Sequence, residues 1–285
     1  MKKGTLAFGA IALASALVIS GCSAADDGNG TETPQFEEGT TMAKLAEQGS
    51  IKIGTKFDQP LFGEVGPSGT PEGFDVEIGK LIAKELGISA DKIQWVETVS
   101  ANRETFIQNG TTDIVIATYT INDKRKESIS FAGPYYLAGQ SILTTKENPA
   151  GIQSDADLVG KQVCSVDGST PAAKLAEIGA IPVLFKTYAE CIDPLKLGQV
   201  DAVSTDNVIL AGFAAKDDTL QVVGTPFTDE PYGIGVGHDD DAFRSFINDV
   251  LEKIYANGDY RAAWDATAGK VLPYVNPPAV NRYSN

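Results

Sequence analysis

The stretch Asp113-Ile114-Val115-Ile116-Ala117-Thr118-Tyr119-Thr120 decides the class of fold. Its apolar residues, Ile114 to Ala117, run without alternation, so they suit a strand buried on both faces, as in a parallel sheet covered by helices. A turn begins at Thr118. Upstream, Asn102 to Gln108 reads as a short helix closed by Asn109-Gly110, and Ile93 to Val96 as a strand. Further back, Ser50 to Thr55 reads as the first strand. Phe74, Ile78, Leu81, Ile82 and Leu86 then recur at helical spacing until Gly87 offers a stop. Downstream the pattern restarts. Lys161 to Val166 is strand-like, Gly168-Ser169-Thr170-Pro171 opens a helix, and Ala202-Val203-Ser204 is a strand before a helical Asn207 to Ala215. Tyr232 to Val236 makes a last strand, and Phe243, Phe246, Ile247, Val250, Leu251 and Ile254 form the stripe of a packed helix. This alternation predicts an α/β protein with mostly parallel sheets, and the restart predicts a second, smaller lobe.

In open α/β sheets ligands bind beyond the carboxyl ends of the strands. Lys56 follows the first strand, Ser100 and Arg103 the second, and Thr118, Thr120 and Arg125 the third. Ser169 and Thr170 open a helix of the second lobe, and Asp206 ends its last strand. Three cations, one anion and several hydroxyls therefore converge. Plainer readings stand beside this one. Asp206 and Ser100 could be helix caps, and Lys124-Arg125-Lys126 a solvated helix face. Lys56 and Arg103 could be surface ion-pair partners worth under about 1 kcal/mol, while Phe57 and Tyr232 read as packing.

Composition narrows the function classes. With 285 residues, 42% hydrophobic and 21% charged, the chain is long enough for two domains with real cores. Its 38 acidic and 23 basic residues give a charge of -15, which argues against nucleic acid as a partner. The one histidine, His238, leaves little room for histidine triads or metal sites, and Gly168-Ser169-Thr170 lacks the spacing of a phosphate loop. No metal and no cofactor are expected.

Met1-Lys2-Lys3 followed by an uncharged, mostly apolar run from Leu6 to Ile19 reads as a signal peptide, because about 14 residues make only about 21 Å of helix. Ile19-Ser20-Gly21-Cys22 resembles the lipobox of bacterial lipoproteins, in which the cysteine is lipidated and becomes the new N-terminus. The alternative is an ordinary secretory signal with a chance cysteine. Residues 22–40 then form a lipid-anchored spacer, flexible and solvated through Glu38, and the leader takes Lys2 and Lys3 with it, so the exported chain is more acidic still. Outside the cytoplasm Cys164 and Cys191 are free to oxidise together, a bridge worth about 3–4 kcal/mol on the chain-entropy model; two buried thiols are the alternative.

Gly73-Phe74-Asp75-Val76-Glu77-Ile78 resembles the signature of the extracellular solute-binding proteins, family 3, that serve polar amino-acid ABC importers. Ile107-Gln108-Asn109-Gly110, residues 113–120, Asp123-Lys124-Arg125-Lys126 and Phe131-Ala132-Gly133-Pro134-Tyr135-Tyr136 are similar to that family's central block in order and spacing. The likeness extends to glutamate-binding lipoproteins of Gram-positive bacteria through Gly54-Thr55-Lys56-Phe57-Asp58-Gln59-Pro60, Asn102-Arg103-Glu104-Thr105, Cys164 to Pro171 and Asp229-Glu230-Pro231-Tyr232-Gly233-Ile234-Gly235.

The resemblance implies a type II periplasmic-binding-protein clamp, each lobe a mostly parallel sheet flanked by helices, joined by a two-strand hinge. Lobe 1 would take residues 41–138 and 228–270, lobe 2 residues 139–227, with a tail over 271–285. It further implies that Arg125 grips the ligand α-carboxylate, helped by Thr120 and by N–H groups at Ser169 and Thr170. Asp206 and the carbonyl and hydroxyl of Thr118 would hold the ammonium. Lys56, Ser100 and Arg103 would surround a side-chain carboxylate. Thr118 stands where many relatives carry glycine or serine.

Glutamate brings two carboxylates and one ammonium, and a glutamine ligand would leave a desolvated cation without its anion. The expected partners are thus L-glutamate or L-aspartate, ABC importer permease subunits and, through lipidated Cys22, the outer face of the cell membrane; the chain is expected to act as a monomer. Two rivals remain, a sensing module that reports to a membrane signalling protein and a dehydratase-like enzyme on the same scaffold. The enzyme would need a positioned acid or base that these residues do not supply.

Overall fold

The computed structural model of the chain describes Met1 and residues 34–283. The expected leader, the lipidated Cys22 and most of the spacer lie outside the described residues. In chain order the strands are β1 (Ile51–Thr55), β2 (Asp58–Gln59), β3 (Gly63–Val65), β4 (Pro71–Glu72), β5 (Ile93–Glu97), β6 (Ile114–Val115), β7 (Ser130–Ala138), β8 (Gln140–Thr145), β9 (Gln162–Val166), β10 (Ile181–Phe185), β11 (Ala202–Asp206), β12 (Leu220–Val223) and β13 (Glu230–Val236). The α-helices are α1 (Thr41–Gln48), α2 (Phe74–Glu85), α3 (Arg103–Gln108), α4 (Asp123–Lys126), α5 (Thr170–Glu177), α6 (Ile192–Lys196), α7 (Asn207–Lys216), α8 (Asp241–Asn257) and α9 (Asp259–Ala266).

Two five-stranded sheets make the two lobes, in the orders β5-β1-β6-β13-β7 and β10-β9-β11-β8-β12. In each, the other strands point one way and a single inserted strand, β13 or β8, opposes them. The first sheet is covered by α2, α8 and α9, which bury Phe74, Ile78, Ile82, Phe243, Ile247, Leu251 and Trp264. The chain passes between the sheets at Ala138-Gly139-Gln140 and again from β12 to β13. These crossings are bonded to each other: the Gln140 N–H donates to Thr228 Oγ1 (2.9 Å) and the Phe227 N–H to Gln140 O (2.9 Å).

The run Ile114 to Ala117 is wholly buried, as its composition predicts. Its ladder is shorter than the apolar run because Thr118 turns into the left-handed region (φ +44°), though the Ile116 N–H still donates to Gly54 O (2.8 Å). Cys164 and Cys191 are joined in a disulfide that ties β9 to the turn leading into α6. The solvated spacer ends earlier than expected. Phe36 sets its ring edge-on against Phe246 of α8 (centroids 5.5 Å) because an aromatic side chain finds a partly covered apolar surface there. At the other end the tail lies along lobe 1. The Asn281 N–H donates to Gly133 O (2.8 Å) and the Phe131 N–H to the Tyr283 hydroxyl (2.7 Å), covering the open edge of β7.

Candidate functional site

The carboxyl ends of β1, β5 and β6 on one lobe and of β9 and β11 on the other point into a single cavity between the sheets. Of the expected residues, Ser100, Arg103, Thr118, Thr120, Ser169, Thr170 and Asp206 line it, together with Gln59, Pro171, Tyr188, Thr205 and Ile209. Lys56 and Arg125 stand just behind that lining. Lys56 lies behind Ser100, and Arg125 faces a wider groove outside, which Ser169 and Thr170 also border.

On the lobe-1 wall the cations are buried and fixed. Lys56 donates to Ser100 Oγ (2.9 Å), so that hydroxyl holds the ammonium rather than capping a helix. Burial, and then the neighbouring Arg103, push the Lys56 ammonium down to about 7. Arg103 donates from Nε to Ser100 O (3.2 Å) and from Nη1 to Ala117 O (3.4 Å). Arg125 is only 7% exposed, which removes the solvated-face reading, and donates from Nη1 to Thr120 O (2.6 Å). Both guanidiniums lie over the buried Tyr119 ring, at 4.1 and 5.0 Å from its centroid. Thr118 and Thr120 line the cavity, and Tyr119 between them lies beneath the arginines.

Thr118 holds an unusual conformation for a β-branched residue, and its neighbours secure it. Its N–H donates to Asp75 Oδ2 (2.7 Å), and its hydroxyl reaches Gln59 Oε1 (2.9 Å) and Ala117 O (2.8 Å). Asp75 also accepts from the Tyr135 hydroxyl (2.7 Å), and burial raises its carboxyl to about 7.

The lobe-2 wall is made of two helix starts. Ser169 caps α5, its Oγ accepting from the Ala172 N–H (3.1 Å). The Ser169 N–H is engaged by Val166 O (3.2 Å) in the turn at Gly168, so of the two N–H groups expected to face a carboxylate, that of Ser169 is already committed. Asp206 precedes α7 but makes no side-chain cap. Its Oδ2 accepts from the Tyr232 hydroxyl (2.6 Å), while Oδ1 is buried without a protein donor. Burial, then the nearby Glu230, raise this carboxyl to about 7. The arginines also reach this wall, since Gly168 O accepts from Arg125 Nη2 (3.1 Å) and Arg103 Nη2 (3.4 Å). Gly168 permits that approach: it has φ +73°, and a Cβ there would lie 2.7 Å from Ala101 Cα.

The structure corrects the charge count. Three cations against Asp206 alone would make a strongly cationic site, but two further carboxylates belong to it. Glu104 pairs with Arg125 Nε (3.3 Å), and the buried Glu230 accepts from the Thr170 hydroxyl (2.7 Å) and the Thr228 hydroxyl (2.9 Å). Both were present in quoted motifs, yet nothing in their spacing showed that α3 and β13 would turn them toward the arginine. Tyr188 was missed too. Its one signal was its position three residues before Cys191, whose disulfide holds that turn against β9.

Comparison with known proteins places the chain. Residues 51–266 match the model of the bacterial extracellular solute-binding proteins, family 3. The chain is 41% identical to glutamate-binding protein GluB of Corynebacterium efficiens over 238 residues, 79% of this chain and 81% of that protein. It is 38% identical to ABC transporter glutamine-binding protein GlnH of Bacillus subtilis over 254 residues, 88% and 92% of the two chains. A solved solute receptor for L-cysteine from Neisseria gonorrhoeae superposes with a TM-score of 0.78 at 30% identity, covering 85% of this chain and 99% of that one. The chain belongs to the bacterial extracellular solute-binding proteins, family 3, and is a two-lobed binding protein rather than an enzyme.

Proposed function

We propose that the protein captures an extracellular amino acid by hinge closure and delivers it to the permease of an ABC importer, with L-glutamate as first ligand and L-aspartate as second. One observation carries this reading: the cavity between the lobes sets the partnerless Oδ1 of Asp206, an acceptor suited to an α-ammonium, opposite Arg103 with Lys56 and Arg125 buried just behind the lining, cations suited to carboxylates. In this reading Arg125 and Thr120 take the α-carboxylate with the Thr170 end of α5. Thr118 and Asp206 take the ammonium, and Lys56, Ser100 and Arg103 the side-chain carboxylate. Residues 41–138 with 228–270 form one jaw and 139–227 the other. A signal peptide over residues 1–21 and a lipid on Cys22 would tether the protein outside the membrane.

L-Glutamine is the second reading, and the Lys56 ammonium, pushed down to about 7 by burial and then by Arg103, favours it, because a neutral amine can meet an amide side chain without a second carboxylate. The GluB and GlnH relatives bear the two ligands in their names. Calorimetry with glutamate, aspartate, glutamine and asparagine separates the readings. Tight binding of glutamate over glutamine supports the first, the reverse order the second, and heat from none of the four would sink both.

A further inference from the structure

The small sheet β2-β3-β4 follows directly after Lys56 and makes a second set of contacts with lobe 2, at the margin of the cavity. Asp58 Oδ2 accepts from the backbone N–H groups of Tyr188 (2.8 Å) and Ala189 (3.3 Å). Pro60 O faces Gly212 of α7 so closely that a Cβ there would lie 2.6 Å away. Lys216, at the end of the same helix, pairs with Glu64 of β3. The two lobe-2 elements touched in this way are the ones that carry the cavity wall: Tyr188 lines it, and α7 begins directly after Asp206. On the lobe-1 side, Gln59, next to Asp58, lines the cavity and contacts Thr118.

We propose that β2-β3-β4 is a clasp, in which Asp58 and the Pro60–Gly212 contact hold the jaws shut and set how long a ligand stays, without touching it. The inference rests on the amino-acid-binding reading above. Every contact of the clasp joins the two lobes, so it forms only on closure and leaves the open protein's stability unchanged. It therefore acts on ligand release rather than on ligand choice.

Gly212 supplies a test with opposed signs. Alanine is a better helix former than glycine, so Gly212→Ala should raise the melting temperature of the ligand-free protein while its methyl meets Pro60 O and props the jaws apart. Asp58→Ala should leave that melting temperature unchanged. Both variants should bind glutamate about tenfold more weakly, nearly all of it in a faster release rate, with the glutamate-to-aspartate preference kept. Hydrogen exchange of the glutamate-saturated protein gives a second readout. The Tyr188 and Ala189 amides should exchange faster in Asp58→Ala, and also in Gly212→Ala, which leaves Asp58 in place. Affinities within about twofold of wild type in both variants, or amide exchange unchanged in both, would overturn the clasp. Failure of the wild type to bind any of the four amino acids would defeat the functional reading instead.

Discussion

On the lobe-1 wall Arg103 and Arg125 are held by main-chain carbonyls and a shared aromatic ring, whereas on the lobe-2 wall Asp206 keeps one oxygen without a donor. The first wall is organised before a ligand arrives, at the expense of burying like charges side by side. The second is left incomplete and gains most when an ammonium enters. On the proposed roles, carboxylate recognition comes from preorganisation and ammonium recognition from relief of an unmet acceptor, and substitutions should separate the two.

The largest effect is expected from reversing the first wall. Arg125→Glu sets a carboxylate beside Glu104 and against the ligand's own, and should weaken binding of every amino acid by more than about a thousandfold in calorimetry. A loss confined to acidic ligands would assign Arg125 to the side chain instead. Next is Asp206→Asn, which keeps an acceptor for the Tyr232 hydroxyl but removes the charge; affinity should fall about 30- to 1000-fold. The ligand-free protein should not suffer. The Asp206 carboxyl sits at about 7, above its unfolded value, so it destabilises the fold fully above that pH and progressively less down to about pH 4. The Asn variant should therefore melt higher than wild type in alkaline buffer and match it in acid.

The smallest effects concern ligand choice. Lys56→Met should lower the glutamate-to-glutamine affinity ratio about tenfold while leaving glutamine binding nearly unchanged. Wild-type pH profiles sharpen the same point. Asp206 must lose a proton to meet an ammonium, so affinity for either ligand should weaken as pH falls below about 7. Only glutamate affinity should also weaken above about 7, as Lys56, depressed to that value, loses its charge. Parallel profiles for the two ligands would remove Lys56 from the side-chain subsite.

Much of this architecture could be read from the chain alone. Unbroken burial at Ile114 to Ala117, helical spacing from Phe74 to Leu86 and the polar residues after each strand are local patterns that carry the α/β class and most of the cavity lining, while the clamp itself was legible through the family resemblance. What escaped was non-local. Glu230 and Glu104 join the site only because β13 and α3 come together around Arg125, and no spacing encodes that meeting. Phe36 was hidden for a related reason: a lone aromatic residue in a polar segment shows its partner only once α8 is folded.

The pairing of β7 with β13 has a further consequence. Ala138 and Glu230 are register partners in antiparallel strands, so all the residues between them, including the whole second sheet, are inserted at the tip of one long hairpin. Phe36, near the start of the described stretch 34–283, and Tyr283, at its end, both rest on the host lobe. The host sheet is thus interrupted by a guest, and a short turn joining Ala138 to Glu230 would restore its continuity.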